Sequence, residues 1–148
     1  MASDPTATDE RADDERAGED GNDGEHTGPA PLVRRADEVE YEPVDAADGL
    51  RKGVLVGPDD GAPNVAMRRF TLAPGTEVPR HTNAVEHEQH VLAGEYVVGI
   101  GDRECTVAAG DSLLVPAGTV HWYRNDGDDE GAFVCVVPEG DDAIELVE

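Results

Sequence analysis

Lysine is nearly absent from this sequence: Lys52 is the only one among 11 basic residues. The 34 acidic residues outnumber the basic ones, and the formal net charge is -23 at pH 7. Nucleic-acid binding requires clustered Lys and Arg against the phosphates, and anionic membranes attract the same residues. The composition therefore argues against nucleic acid and against membranes as partners.

The excess of carboxylates over lysine has two interpretations. Concentrated salt screens the repulsion between like charges, so this composition fits a protein of a halophilic cytoplasm. The alternative is an ordinary acidic protein. Full and reversible stability without added salt would favour the alternative.

Long apolar runs and a cysteine framework are also missing. No stretch approaches the ~20 apolar residues that a membrane-spanning helix requires. The N-terminus has no basic segment followed by an apolar run, so we expect no signal peptide. Cys105 and Cys135 are the only cysteines. Two cysteines cannot form a disulfide framework, and we expect free thiols in a reducing cytoplasm.

Residues 1–31 consist mainly of Asp, Glu, Gly, Ala and Thr. Such a segment buries too little apolar surface to offset its ordering entropy, so we expect a disordered acidic tail. It is interpreted as a solvating tail; a regulatory or partner-binding role is the alternative.

Residues 32–148 differ from this tail in composition and are expected to form one all-β domain. Short β-type runs are separated by Gly, Pro, Asn and Asp clusters, and no long amphipathic helix is evident. This spacing predicts an antiparallel sandwich or barrel. The runs are Val39–Pro43, Gly53–Val56, Val65–Leu72, His90–Ile100, Glu104–Val107, Ser112–Val115, Val120–Arg124, Ala132–Val137 and Ile144–Val147.

The phase of three runs predicts which side chains point inward. Arg68 alternates in step with Phe70 and Leu72, so an inward apolar face carries Arg68 inside. A buried Arg is costly unless it is paired or solvated, and its presence therefore predicts a polar cavity. By the same alternation two further groups share a face, namely His121 with Tyr123, and Phe133 with Cys135 and Val137.

Three histidines lie where one barrel could bring them to a single metal ion. His81 and His87 are six residues apart across a proline-flanked, irregular segment, and His121 follows 34 residues later. Neutral imidazoles bind Zn, Cu, Ni, Fe or Mn, and three of them from two adjacent strands leave coordination positions open. Asn83 offers a weaker carbonyl oxygen. Glu86 and Glu88 flank His87 as alternative ligands or as groups that orient it.

These residues resemble the two motifs of the cupin superfamily. The first motif, G-x5-H-x-H-x3,4-E-x6-G, is matched by Gly75, His81, Asn83, His87 and Gly94. His87 stands at its glutamate position and Asn83 at its second histidine. The second motif, G-x5-P-x-G-x2-H-x3-N, is complete as Gly110, Pro116, Gly118, His121 and Asn125.

The sequence around the motifs is similar to that of small single-domain cupins that hold their metal with four histidines. VEHEQHVLAGE resembles their PWEHEVYVLEGE, and FVCVVP resembles their FLCIIP. The similarity covers roughly residues 33–138. It implies a jelly-roll β-barrel, a homodimer and a divalent transition metal (Mn, Fe, Zn, Ni or Cu), with ligand positions at His81, Asn83, His87 and His121. The residues that it implies for the catalytic pocket are Arg68, Phe133 and Cys135.

Asn83 decides between two functional expectations. Three neutral histidines leave the charge of the metal uncompensated, which favours anionic ligands, and Asn in place of histidine opens one more position. One expectation is an oxidoreductase of dioxygenase type acting on a small oxygenated molecule. The other is a non-catalytic module that binds a small molecule or a metal. A sugar-phosphate isomerase shares the fold, but Arg68 and Arg80 are the only phosphate-binding candidates.

The remaining polar and aromatic candidates are assigned structural places. His90 lies out of phase with His87 and is expected at the surface or an interface. Trp122 has the opposite phase to His121 and is expected on the barrel exterior or in a subunit interface. Cys105 is expected to be inert, and Asn125 to close a turn.

Overall fold

Alternating apolar and polar side chains produce eleven strands in the computed structural model, which describes residues 28–140 and 144–147. The predicted all-β fold class is confirmed. Residues 1–27 of the predicted acidic tail lie outside the described residues. Within the described residues no helix is long and apolar enough to cross a membrane. The strands are β1 (Tyr41–Pro43), β2 (Leu50–Val56), β3 (Val65–Leu72), β4 (Glu77–Asn83), β5 (His87–Ala93), β6 (Glu95–Ile100), β7 (Arg103–Ala108), β8 (Ser112–Val115), β9 (His121–Arg124), β10 (Gly131–Pro138) and β11 (Ile144–Leu146).

The strands form two antiparallel sheets. The six-stranded sheet has the order β1-β2-β3-β10-β5-β8, and the five-stranded sheet has the order β11-β4-β9-β6-β7. Several neighbouring strands are distant in sequence, as in the pairing of β3 with β10 and of β4 with β9. Such non-local pairing brings side chains from widely separated motifs onto the same inner faces.

The inner faces of the sheets meet in an apolar core. Along β5 and β10 every second side chain is buried, which is the period of a strand with one face covered. Complete burial of each Val, Leu or Phe contributes roughly 1.5–3 kcal/mol. The core residues with the least exposure include Leu72, Val91, Tyr96, Val98 and Cys135.

Two segments differ from the sequence prediction. The predicted run His90–Ile100 is two strands, because Gly94 turns the chain with φ of 80° and no room for a Cβ beside Glu130. The proline-flanked segment between His81 and His87, expected to be irregular, is partly regular: strand β4 runs past Pro79 to Asn83. Its pairing with β9 shifts register between Val78 and His81, as expected where a proline cannot donate a ladder hydrogen bond.

Trp122 lies on the outer face of β9, as predicted. Gly99 of β6 is its direct partner, and a Cβ at residue 99 would collide with the indole. The Arg124 guanidinium lies 5.3 Å from the centre of the indole ring. The ring therefore rests on bare backbone, and the opposite face of β9 carries His121 and Tyr123 inward.

Candidate functional site

A cavity of about 320 Å³ lies between the two sheets. Its size falls at the lower end of the range for small-molecule sites. All seven side chains that the sequence assigned to a metal or catalytic site line it, which brings together residues from β3, β4, β5, β9 and β10. They are Arg68, His81, Asn83, His87, His121, Phe133 and Cys135.

His81 and His121 form a cross-strand pair on the five-stranded sheet. They are register partners, and their ring centres are 4.1 Å apart. His81 Nδ1 lies 2.8 Å from the Pro79 carbonyl oxygen, and His121 Nδ1 lies 2.9 Å from that of Thr119. A carbonyl only accepts, so each Nδ1 carries the proton and, in a neutral ring, the lone pair lies on Nε2. Both rings are thus set in the tautomer that coordinates through Nε2.

His87 comes from the other sheet. The expectation that two adjacent strands supply the three histidines is wrong: β4, β5 and β9 each supply one, and β5 lies in the six-stranded sheet. The His87 ring centre is 6.2 Å from that of His121. Its Nδ1 lies 3.3 Å from Cys135 Sγ, so a thiol takes the place that backbone carbonyls occupy for the other two rings.

Asn83 shares the inward face of β4 with His81 and is only 5 % exposed. Its Oδ1 is buried and has no hydrogen-bond partner. Leaving a buried acceptor unsatisfied costs about 1–3 kcal/mol. An amide oxygen beside two preset imidazoles is a donor set that a divalent cation would satisfy.

The histidines do not form a closed metal centre by themselves. Among residues 28–140 and 144–147, no three His, Cys, Asp or Glu side chains gather closely enough to hold an ion. Glu86 and Glu88 are exposed and lie outside the cavity lining. A hydrogen bond with Glu86 raises the pKa of Glu88. A metal site here would therefore need the Asn83 oxygen in addition to His81 and His121.

Cations, and no carboxylates, line the described cavity. Arg68 reaches it from β3 as predicted, with its guanidinium 5.5 Å from the Phe70 ring centre and Nη2 3.9 Å from Cys135 Sγ. Lys52, the sole lysine, also lines it. Sequence reasoning missed Lys52, although a single lysine in so acidic a chain was a usable signal. The cavity attracts negative charge.

Gln89 and Tyr123 form a second polar pair that the sequence did not reveal as functional. Gln89 Nε2 donates to the Tyr123 hydroxyl at 2.8 Å and so joins the two sheets. Gln89 is 4 % exposed, and its Oε1 has no partner. Burial raises the pKa of Tyr123, and the bond from Gln89 opposes this only in part. Each residue follows a histidine by two positions, and this phase could have identified the pair.

An aromatic stack forms one wall of the cavity. Phe133 stacks between Phe70 and Tyr123, at 5.1 Å and 5.5 Å between ring centres and with interplanar angles of 17° and 19°. Phe133 thus lies in the cavity wall, as predicted. The stack makes most of this wall apolar.

The residues assigned to structural places lie where they were expected. The Asn125 amide nitrogen donates to the carbonyl oxygens of Leu72 and Asp129, and its oxygen accepts from the Gly127 amide, which closes the turn. His90 is exposed, with Nδ1 2.9 Å from the Ser112 hydroxyl. Cys105 is exposed and Cys135 is buried, and neither forms a disulfide bond within the described residues.

Comparison with known proteins agrees with this architecture. A family model described as "Cupin domain" matches residues 68–137, which include the three histidines, Asn83 and the residues of the aromatic wall. The chain contains a cupin domain. The resemblance to the cupin superfamily is confirmed, and metal binding is common in that family.

Two solved structures share the fold of this cupin. The polyketide cyclase RemF from Streptomyces resistomycificus superimposes with a TM-score of 0.75 at 24 % identity, over 80 % of this chain and 87 % of that one. Rru_A2000 from Rhodospirillum rubrum, a cupin-2 domain, gives a TM-score of 0.69 at 20 % identity, over 82 % and 84 %. At these identities the likeness shows the fold.

A curated relative matches a smaller part. Endoribonuclease YbeY of Myxococcus xanthus (strain DK1622) is 31 % identical over 91 residues. The match covers 53 % of this cupin and 31 % of that protein. The chain thus spans about a third of the relative's length, and the endoribonuclease activity is that relative's.

Proposed function

We propose that this cupin is a metal-dependent oxidoreductase of dioxygenase type that acts on a small oxygenated anion. The observation that carries the proposal is the unpartnered Asn83 oxygen beside His81 and His121. A divalent transition metal (Mn, Fe, Zn, Ni or Cu) would be held by these residues and His87. Any of these metals would supply Lewis acidity, and all except Zn could also supply redox chemistry.

The chain's own residues bind and orient the substrate. Arg68 and Lys52 attract its negative group, because they are the charged side chains of the described cavity lining. Phe133 and Phe70 cover an apolar part of it and keep water out. Cys135 contacts His87 and holds that ring at the cavity wall.

A non-catalytic module that binds a small molecule or a metal is the second candidate. It is favoured by the lack of any carboxylate in the described cavity lining, since Asp and Glu are common general acids and bases. A sugar-phosphate isomerase is less well supported, because Arg80 is exposed and lines an outer groove with Trp122. Oxygen uptake by the Fe- or Mn-loaded protein with small diketones or enols separates the first two candidates.

The test of the centre is a pair of substitutions at one position. Asn83→His should tighten metal binding about 10-fold or more, because imidazole is the better donor to these ions. Asn83→Leu should weaken metal binding, because it removes the oxygen. Both are followed by titration against a chromogenic chelator. Unchanged affinity in both variants would show that residue 83 does not face an ion.

Three further predictions concern the protein's setting. A halophilic cytoplasm predicts a melting temperature that rises steeply with KCl concentration. Because most small cupins are dimers, we expect a homodimer, which sedimentation of the purified chain can test. The expected ligand is a small molecule, with no role for nucleic acid or membranes.

A further inference from the structure

Gln89 and Tyr123 stand one inward-facing position beyond the histidines. Gln89 follows His87 on β5, and Tyr123 follows His121 on β9. Inward positions on a strand are about 7 Å apart. A ligand held near the histidines therefore has this pair within reach of a group a few bonds away.

The pair has an unused hydrogen-bonding capacity. The Tyr123 hydroxyl oxygen accepts a hydrogen bond from Gln89 Nε2, so its own hydroxyl proton is available for a second bond. Gln89 Oε1 is buried without a partner. Together the two side chains offer one donor and one acceptor.

The presence of one donor and one acceptor does not depend on the orientation assigned to the Gln89 amide. With its two ends exchanged, Gln89 Oε1 would accept from Tyr123, and the amide NH2 would be left as donor beside a tyrosine oxygen lone pair. One donor and one acceptor are again presented. A hydroxyl group has both functions, whereas a carboxylate or ketone oxygen only accepts.

We propose that Gln89 and Tyr123 recognise a hydroxyl group of the ligand, as in an alcohol, phenol or enol. The inference rests on the proposed function in one respect only, namely that the cavity holds a small ligand; it needs no metal. It narrows the substrate class from an oxygenated anion to a hydroxylated one. If the pair has only a structural role, its variants should lose stability and keep the same ligand preference.

Stability separates the two roles. Replacing Gln89 by an apolar side chain of similar size removes the desolvation penalty of its Oε1, but it also leaves the Tyr123 hydroxyl without its 2.8 Å partner, so the two effects on stability oppose each other. Gln89→Leu should therefore change the melting temperature little while it loses the preference for hydroxylated ligands. Gln89→Met carries the same expectation in a second apolar shape.

The experiment uses two probes that differ only at the group to be recognised. Calorimetric titration compares 3-hydroxybenzoate with 3-methylbenzoate, whose shared carboxylate keeps the attraction of Arg68 and Lys52. We expect the full chain to prefer the hydroxylated probe about 10-fold or more. Gln89→Leu and Tyr123→Phe should each reduce the preference below about 3-fold, with little change for the methyl probe.

Tyr96→Phe is the matched control. The Tyr96 hydroxyl is also buried without a partner, but Tyr96 does not line the cavity. Its removal should leave the preference intact. All titrations are run with chelator and again with Zn²⁺, so that binding of the phenol to a metal is recognised separately.

Four outcomes would overturn the proposal. A preference that survives in Gln89→Leu, Gln89→Met and Tyr123→Phe would remove the pair from recognition. A lower melting temperature with an unchanged preference would assign it a structural role. Metal binding as proposed, with no hydroxyl preference in the unsubstituted chain, would refute this inference alone. Failure of both probes to bind in either state would refute it together with the ligand cavity.

Discussion

The two sheets hold their histidines in different ways. On the five-stranded sheet, His81 and His121 each bond through Nδ1 to a carbonyl two residues earlier. On the six-stranded sheet, His87 uses the same nitrogen to contact the Cys135 thiol. A carbonyl oxygen accepts only, whereas a thiol is a weak donor and a weak acceptor.

The difference separates what the backbone fixes from what a side chain fixes. Both carbonyls belong to the backbone, that of Pro79 within β4 and that of Thr119 in the loop before β9, so the first pair of rings is set by the fold. His87 depends on the identity of residue 135. The site therefore has one half set by the backbone and one half that a single substitution can adjust, and the predictions below probe each half.

The largest effect is expected at the paired histidines. His121→Ala should reduce metal affinity more than about 100-fold, beyond the range typical of losing a group that only supports a ligand. His87→Ala should reduce it less, because its ring lies farther from His121 than His81 does. Chelator competition measures both, with circular dichroism as the folding control. Equal losses would erase the distinction between the two halves.

A smaller effect is expected from the thiol. Cys135→Ala should weaken metal binding about 10-fold, the lower range for loss of an orienting partner. The loss should vanish when His87 is already alanine, because the thiol acts through that ring. Cys135→Ser retains a donor and acceptor and should lose less. An equal loss in the His87→Ala background would show that Cys135 acts independently of His87.

The smallest effect is expected at the Arg34–Asp60 ion pair, which lies outside both inner faces and serves as a control. Hydrogen bonds from Arg34, at 2.8 and 3.1 Å, lower the pKa of Asp60 to about 2 from an ordinary 3.8. The lowered pKa means that this stabilisation is present above about pH 4 and is lost as the pH falls towards 2. Asp60→Asn should lose less stability over that window, measured as melting temperature. Metal affinity at neutral pH should not change, and a change would show coupling to the site.

The sequence predicted which residues belong to the site better than it predicted which strands and sheets bring them together. Alternation along Val65–Leu72 and Ala132–Val137 placed Arg68 and Cys135 inward, because a covered strand face enforces a period of two. Motif spacing gathered the histidines and Asn83. It did not show that His87 arrives from the opposite sheet, since strand order between distant segments leaves no local pattern.

Two other misses have local physical reasons. Pro79 suggested irregular chain, yet a bulge beside it lets β4 keep its pairing. Gln89 and Tyr123 are ordinary residues for a strand. Their importance lies in an unpartnered oxygen, which becomes visible only when the surrounding atoms are placed.

Trp122 on Gly99 carries a consequence for how this cupin can change over time. Any larger residue at position 99 would displace the indole, and the indole belongs to the same four-residue strand that presents His121 on its other side. A substitution on the outer face of the sheet would therefore change the position of His121 on the inner face, at the candidate metal centre. We therefore expect substitutions at positions 99 and 122 to be tolerated only in combination, because this pair keeps His121 in place.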